Sequence, residues 1–176
     1  MYNHPDARYQ KSERKIKTAI SSLLWRRTVT LRVKDICHSA HLNPPTFYRH
    51  YRNPNQALTS LENNLVHEFR ALLNSTPRDK LVPRKTLSLI FLFVYQNRSY
   101  FKTTNHRHNY YVLDQIITHT HQTIANHRYI PKLSLATYYG ATIYLIAEWC
   151  NTTDFDLSKS PHYINHILNL EKLLNL

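Results

Sequence analysis

A single glycine, Gly140, occurs in this chain of 176 residues, and this scarcity restricts the folds open to it. The tight turns that join β-strands place residues at positive φ, where glycine is favoured. Helices joined by short polar or proline-bearing loops need little glycine. The sequence therefore disfavours a fold of many hairpins, and it contains no glycine-rich loop of the kind that cradles phosphate groups.

Apolar residues recur with helical periodicity along the chain, and no segment shows the sustained alternation of a strand. The first amphipathic segment runs from Ser12 to Trp25, and a second short helix runs from Arg32 to Ala40. Later segments with helical patterning cover residues 85–97, 98–104, 110–126, 131–149 and a last stretch from 161. A polar loop is expected at 151–160. We predict an all-α fold of about nine helices.

Two helix starts are marked by an asparagine followed directly by a proline. Asparagine caps helix N-termini, and proline suits the first helical position, where no N–H is needed. Asn43-Pro44 starts a short helix that ends at about Tyr51. Asn53-Pro54 starts a long helix that ends near Ser75, and Gln56 completes a capping box there. The apolar residues predicted on one stripe of this helix are Leu58, Leu61, Leu65, Phe69 and Leu72.

Positive charge is concentrated in the part of the chain that holds the short helices. Residues 1–53 carry 11 Lys and Arg side chains against 3 Asp and Glu, a net charge of +8, and the whole chain carries +12. Such a concentration of positive charge favours the binding of polyanions, because binding releases their counterions. Charge alone leaves open nucleic acid, an anionic membrane and plain solubility. Four cations near the start of the chain form either a solvated arm or a set of phosphate contacts. They are Arg8, Lys11, Arg14 and Lys15.

Two short helices joined by a tight turn form a helix-turn-helix when the second helix faces solvent. Here the second helix covers residues 44–51. Phe47 and Tyr51 lie at i and i+4, so we expect them to pack inward against Ile36 and Leu24. The side chains with outward options can reach base edges and phosphates in a major groove. They are Pro45, Thr46, Tyr48, Arg49, His50 and Arg52.

The segment from Val33 to Tyr51, VKDICHSAHLNPPTFYRHY, resembles the helix-turn-helix of the tetracycline-repressor (TetR/AcrR) family. The family pattern is TV-x-DI-x-x-x-AG-V-S-x-x-T-F/L-Y-x-H-F followed by x-x-K-x-x-L. Residues 12–73 follow this family almost throughout, in order and without gaps. The later segment YYGATIYLIAEW is similar in layout to the dimerising helix of many relatives.

This resemblance implies a sequence-specific DNA-binding transcriptional regulator, usually a repressor. Its homodimer would place two recognition helices in successive major grooves of a near-palindromic operator in double-stranded DNA. Carried over by position, Thr46 would contact the operator, and Tyr48 and His50 would contact phosphates. The DNA-binding set implied in this way is Arg32, Asn43, Pro44, Pro45, Thr46, Tyr48, Arg49, His50 and Arg52.

Three residues in the segment that resembles this family depart from its pattern. Arg32 stands where a threonine usually caps the second helix. His41 replaces the turn glycine, where a left-handed backbone would be strained. Pro54 replaces a lysine that usually contacts phosphate, and Arg52 is a candidate substitute. These departures keep open an alternative function, a helical protein-interaction module or co-activator that binds a partner regulator with weak or no DNA binding.

The predicted domains are a helix-turn-helix DNA-binding head, residues 1–53, and a C-terminal helical bundle for dimerisation and effector binding, residues 54–176. Aromatic residues of the bundle form either a small-molecule effector pocket or core. The candidate pocket residues are Phe91, Tyr95, Tyr110, Tyr111 and Asp114. The last two helices are expected to pair across a two-fold axis. The candidate interface residues are Tyr139, Ile143, Ile146, Ile167, Leu170 and Leu174.

Other classes have little support in the sequence. The pair His162 and His166 would share a helix face, but no third ligand at a fixed spacing accompanies it, so we expect neither metal nor cofactor. Motifs of common enzymes are absent, and no catalytic activity is expected. Cys37 and Cys150 are expected to be reduced thiols. The most apolar run, residues 87–95, is too short to cross a bilayer, and no secretory signal opens the chain. A cytoplasmic location is therefore expected.

Overall fold

A computed structural model describes residues 7–26, 30–77, 82–106, 110–124 and 132–174. Within these ranges the backbone forms nine α-helices and no strand, so the predicted all-α class is confirmed. The helices are α1 (Ala7–Trp25), α2 (Val33–Ala40), α3 (Pro44–His50), α4 (Pro54–Ser75), α5 (Pro83–Gln96), α6 (Arg98–His106), α7 (Tyr111–Ile124), α8 (Lys132–Thr153) and α9 (Ser160–Leu173). None of these helices is both long and apolar enough to cross a membrane.

The chain divides into two compact units, Met1–Asn64 and Leu65–Leu176. The division falls within α4, eleven residues after the domain boundary expected from the sequence. The functional boundary at residue 53 therefore stays a prediction.

The first unit is built on a small apolar core. α1 packs on α2 and α3, and α2 packs on α3. Ile16, Ile20 and Leu24 of α1 meet Ile36 of α2 and Phe47 of α3 in this core, and all five are almost fully buried. Removing such side chains from water is the main stabilising contribution in a unit of this size.

The turn between α2 and α3 contains a left-handed residue at the position where the resemblance implied one. His41 has φ 52° and ψ 51°. The Leu42 N–H donates to the Cys37 carbonyl at 2.9 Å, and the His41 N–H donates to the His38 carbonyl at 3.2 Å. This pair of bonds is a Schellman motif, which ends a helix by satisfying its last carbonyl groups.

Both predicted asparagine caps are present. The Asn43 side chain accepts from the Thr46 N–H at 3.0 Å at the start of α3. At the start of α4, Asn53 Oδ1 accepts from the Gln56 N–H at 2.9 Å. The Gln56 side chain returns to the Arg52 N–H at 2.6 Å, one residue before the cap. The contacts therefore resemble the predicted capping box, except that the glutamine reaches the N–H of the residue before the cap and not that of the cap itself.

The buried stripe of α4 differs from the predicted one near its end. Leu61, Leu65 and Phe69 are buried as expected, but Leu72 is exposed and Leu73 is fully buried. The buried positions simply continue in steps of four residues, which follow one ridge of an α-helix. The prediction for Leu72 was therefore wrong by one position.

The polar loop predicted at 151–160 is largely helical. The hydroxyl groups of Thr152 and Thr153 donate to the carbonyl groups four residues earlier, both at 2.7 Å. α8 therefore continues through these polar residues to Thr153, and a single 3-10 turn, Leu157–Lys159, precedes α9. The Trp149 indole N–H donates to the Asp156 carbonyl at 2.8 Å and closes this short connection.

The core of the second unit is aromatic. The Phe91 and Trp149 rings pack edge to face with centroids 4.8 Å apart, and Phe155 packs against the same Trp149 at 5.7 Å. Phe69 and Phe93 form a further pair at 5.2 Å. Edge-to-face pairs of this kind add directional stability to the apolar burial.

Candidate nucleic-acid interface

The outward face of α3 is set by one buried anchor. Phe47 is fully buried, as predicted, so its neighbours turn toward solvent. The Tyr48 side chain is 57% exposed, and its ring packs edge-on against Phe47 with centroids 5.6 Å apart. Arg49 on the same helix is exposed, and so is Arg52, two residues after the helix ends. The surface formed by α3 and the residue just after its cap therefore carries one phenol and two guanidinium groups.

The N-terminal end of α3 is ordered by its own side chains. The Thr46 hydroxyl donates to Asn43 Oδ1, and it accepts from Arg49 Nη2 at 3.4 Å. Pro44 and Pro45 are exposed beside it, and Thr46 is half-buried. In a helix-turn-helix this end of the second helix contacts base edges. The structure thus brings together the residues predicted for base contact.

His50 is turned inward, toward α1. Its Nε2 lies 2.7 Å from the Ser12 hydroxyl oxygen, and its ring lies 3.9 Å from that of Tyr9 between centroids. The Ser12 hydroxyl donates to carbonyl groups of its own helix, so its oxygen is placed to accept from His50. The other ring nitrogen, Nδ1, is buried and has no hydrogen-bond partner among the described residues.

The surroundings of His50 favour its neutral form. Burial is the largest cause that lowers its pKa below the ordinary value of 6.5. Glu13 acts in the opposite direction, and the charges of Arg49 and Lys17 add to the lowering. With both nitrogens turned inward and no charge at pH 7, His50 holds α3 on α1 in this structure. Neither nitrogen is available for the phosphate contact that the resemblance implies.

A second polar contact joins the end of α3 to α1. The Tyr51 hydroxyl donates to Glu13 Oε1 at 3.1 Å and lies 3.3 Å from the Ser60 hydroxyl. Glu13 also pairs with Lys17 at 2.8 Å, and this hydrogen bond is the largest cause that lowers the pKa of Glu13. Burial raises the pKa of Tyr51 to about 12. The C-terminal end of α3 is therefore held by polar contacts as well as by apolar packing.

Ser12 and Glu13 were not predicted from the sequence as partners of α3. A signal for Ser12 was available, because it lies on the same face of α1 as Ile16 and Ala19, at i, i+4 and i+7. A polar residue on a buried face needs a hydrogen-bond partner. Which partner it finds could not be read from the spacing.

Three of the four basic residues of the predicted arm share one surface. Lys11, Arg14 and Lys15 line an open groove between α1 and the end of α2, together with Ser39 and His41. All three cations are exposed. An open groove lined by cations suits the backbone of a polyanion.

Most of the DNA-binding set implied by the resemblance is accessible. Arg32 is exposed just before α2, and its side chain makes no capping hydrogen bond. Only Thr46 and His50 of the set are half-buried. The exposed members are Arg32, Asn43, Pro44, Pro45, Tyr48, Arg49 and Arg52.

The five candidate effector-pocket residues do not gather around a cavity that lies in the described part of the second unit. Phe91 is fully buried against Trp149. Tyr95 lies under the Arg98 guanidinium, 4.8 Å from its ring centroid. Tyr111 is exposed, and Tyr110 and Asp114 are half-buried near the start of α7. The cavity lies among α5, α7, α8 and α9, and none of the five lines it.

The predicted dimer residues divide into core and surface. Ile146 and Ile167 have no exposed surface, so they belong to the core of the second unit and not to an external face. The other four, Tyr139, Ile143, Leu170 and Leu174, are half-buried.

The two most exposed apolar side chains of α8 and α9 were not among the predicted interface residues. Tyr144 is 65% exposed and Leu173 is 77% exposed. They lie on a surface groove that we call the α8–α9 face. Its lining residues are Ala141, Tyr144, Leu145, His166, Asn169, Leu170 and Leu173.

Neither a protein-family profile nor a curated protein sequence matches the chain. Among solved structures, the chain is similar to the dihydroxyacetone kinase operon activator DhaS, with a TM-score of 0.60. The alignment covers 93% of this chain and 97% of that one, at 17% sequence identity. The chain therefore shares a fold with an operon activator over nearly its whole length.

Proposed function

We propose that this chain is a sequence-specific DNA-binding transcriptional regulator of the tetracycline-repressor type, which acts as a homodimer. The observation that supports the proposal most directly is the outward face of α3. Phe47 anchors this seven-residue helix, and Tyr48 and Arg49 project from it within the most basic part of the chain. The fold shared with an operon activator supports a role in transcription.

In this proposal the exposed face of α3 enters a major groove, which is about 12 Å wide in B-DNA and admits an α-helix. Arg49 and Arg52 neutralise phosphate charge, and the Tyr48 hydroxyl donates to a phosphate oxygen. Pro45 and Thr46, at the N-terminal end of the helix, approach base edges and thymine methyl groups. Phosphate contacts set the register of the helix, and base contacts provide the sequence preference.

A mobility-shift titration tests the role of Tyr48. The duplex is the promoter of the chain's own operon, or a site selected from random DNA. We expect Tyr48→Ala to weaken binding about tenfold, or about 1.4 kcal/mol, because a phosphate donor is lost. Tyr111→Ala is the matched control, since it removes an exposed tyrosine of the second unit. Equal affinity of Tyr48→Ala and the parent protein would contradict the proposed contact.

The salt dependence of the same titration separates the proposal from its alternative. A protein that neutralises several phosphates loses affinity steeply as salt rises. The alternative, a protein-interaction module or co-activator without strong DNA binding, predicts little response to duplex at any salt concentration. Two observations keep it in view: Pro54 stands in place of a phosphate-binding lysine, and the nitrogens of His50 are turned inward. No catalytic role belongs to either candidate.

The homodimer is proposed to form through the α8–α9 face. Leu173 and Tyr144 expose apolar surface on neighbouring helices, and contiguous exposed patches of this kind mark interaction sites. Two copies related by a two-fold axis would join these helices into a four-helix interface. Repression is the outcome implied by the resemblance, and a promoter–reporter assay measures its sign. We also propose that a small molecule controls DNA binding. A ligand that prefers one conformation of the protein would shift the population toward that conformation.

A further inference from the structure

The second unit contains a small, partly open cavity among α5, α7, α8 and α9. Its volume of about 40 Å³ leaves room for about three water molecules or a ligand of a few non-hydrogen atoms. One side is apolar and includes Leu87, Ile90 and Ile117. The remaining walls carry polar groups, and their hydrogen bonds indicate what the cavity can bind.

Three threonines line the cavity, and they differ in one respect. The Thr86 hydroxyl donates to the Val82 carbonyl at 3.1 Å, and the Thr120 hydroxyl donates to the Ile116 carbonyl at 2.7 Å. Thr142 is fully buried, yet its hydroxyl makes no hydrogen bond within the described structure. A buried hydroxyl without a partner lowers stability. Thr142 therefore presents an unused polar group to the cavity.

The Thr142 hydroxyl lies near the Tyr138 phenol and acts to lower its pKa, although the two groups do not have hydrogen-bond geometry. Burial is the largest effect on this phenol and raises its pKa to about 12. Burial also lowers the pKa of the His121 imidazole in the same cavity wall. Both side chains are therefore neutral at pH 7, and a neutral imidazole keeps one acceptor nitrogen.

Glu171 carries the charge of the site. Its half-buried side chain lines the cavity and also borders an outer groove with Arg84 and Lys172. Burial raises the pKa of its carboxyl group. Arg84 donates to Asn165 Oδ1 at 2.7 Å, and none of the lysines and arginines in the described ranges lines the inner cavity. In a chain of net charge +12, the cavity is thus locally acidic and opens toward solvent beside Glu171.

We propose that this cavity binds a small primary alkylammonium ion, with its ammonium group at Glu171 and its alkyl chain against Leu87, Ile90 and Ile117. An ammonium group has three N–H donors, and the walls provide acceptors in Glu171, His121 and Thr142. The ring of Tyr138 adds a face that attracts cations. Anionic ligands are repelled by the carboxylate, and the volume excludes large ligands. The proposed binding site depends only on the cavity and its lining residues. A role of this ligand in controlling DNA binding rests on the proposed function.

Calorimetric titration of the full chain with n-propylammonium chloride, at matched total chloride, tests the site. We expect saturable binding of one ion per chain, and no binding of sodium propionate, which has a similar size and the opposite charge. Methyl NMR spectra should show the largest shifts at Ile90 and Ile117. Absence of saturable binding to the folded chain, or a cavity that holds ordered water only, would overturn the proposal.

Variants locate the site. We expect Glu171→Gln to weaken binding at least tenfold, because the carboxylate charge is lost at constant shape. Thr142→Val should weaken it several-fold while raising the midpoint of urea unfolding, since an unpaired hydroxyl is removed. Glu148→Gln is the control for net charge, because Glu148 lies on α8 outside the cavity. Unchanged affinity of Glu171→Gln would refute the assignment. Since no DNA is present, this result is independent of the test of Tyr48.

Discussion

At the scale of single residues, backbone strain and side-chain burial compete. Outside glycine, the left-handed region costs about 1–2 kcal/mol per residue. His41 and Phe155 both lie there, with φ 52° and 66°. The Phe155 ring is buried against Trp149, and removing a buried phenylalanine costs about 3–5 kcal/mol, so packing outweighs strain at that position. His41 is exposed and has no comparable compensation.

We therefore expect His41→Gly to raise the free energy of unfolding by about 1 kcal/mol, because glycine adopts the left-handed conformation without a Cβ clash. Urea unfolding followed by circular dichroism measures the change. His38→Gly is the matched control: it lies on exposed surface within α2, where glycine should lower stability by about 1 kcal/mol. A loss of stability in both variants would show that His41 is not strained.

At the scale of elements, α3 is too short to be stable by itself, since isolated helices of fewer than about 12 residues are marginal in water. Its seven residues are held at three points. Asn43 caps the first turn, Phe47 anchors the middle, and His50 contacts α1 at the end. The outward face can therefore consist of polar and charged side chains without loss of helical structure.

Removal of the cap tests this account. We expect Asn43→Ala to lower the free energy of unfolding by about 1 kcal/mol, the usual cost of a lost N-cap. Asn55→Ala, in the exposed first turn of α4, should change it by less than about 0.5 kcal/mol. Equal effects of the two substitutions in urea titrations would show that the Asn43 side chain does not stabilise α3.

At the scale of the whole molecule, the proposed homodimer would cover the exposed leucine and tyrosine of the α8–α9 face with a second copy of the chain. Single exposed apolar residues are common, but Leu173 and Tyr144 line one groove together with half-buried Leu145 and Leu170. An isologous interface places the same groove on both partners, so a single two-fold axis covers the groove of each copy with that of the other.

Light scattering after size-exclusion chromatography should give twice the chain mass of 21.0 kDa for the parent protein. We expect Leu173→Lys to shift the species to a single chain, or to weaken association at least tenfold, because a charge would be placed in the apolar interface. Leu92→Lys introduces the same charge at another exposed leucine and should leave the mass unchanged. A monomeric parent protein would rule out the proposed homodimer.

The sequence by itself determined the features that depend on neighbours within about one or two helical turns. The asparagine caps before Pro44 and Pro54 and the inward Phe47 could be predicted from residue order and spacing. The left-handed His41 followed from the resemblance, because it stands at the position of the family's turn glycine. Helical periodicity likewise predicted the all-α class. These features are local, because a helix brings together only residues three or four positions apart.

Only the tertiary structure decided which of these surfaces meet. His50 is a residue type that can contact phosphate, but its ring is turned inward to the hydroxyl of Ser12, 38 positions away. Ile146 and Ile167 lie in the core and not on an interface, and the cavity beside Glu171 collects side chains from four helices. Periodicity gives the direction of a side chain around its own helix axis. It does not specify which partner helix packs there, since that depends on how distant segments share one core.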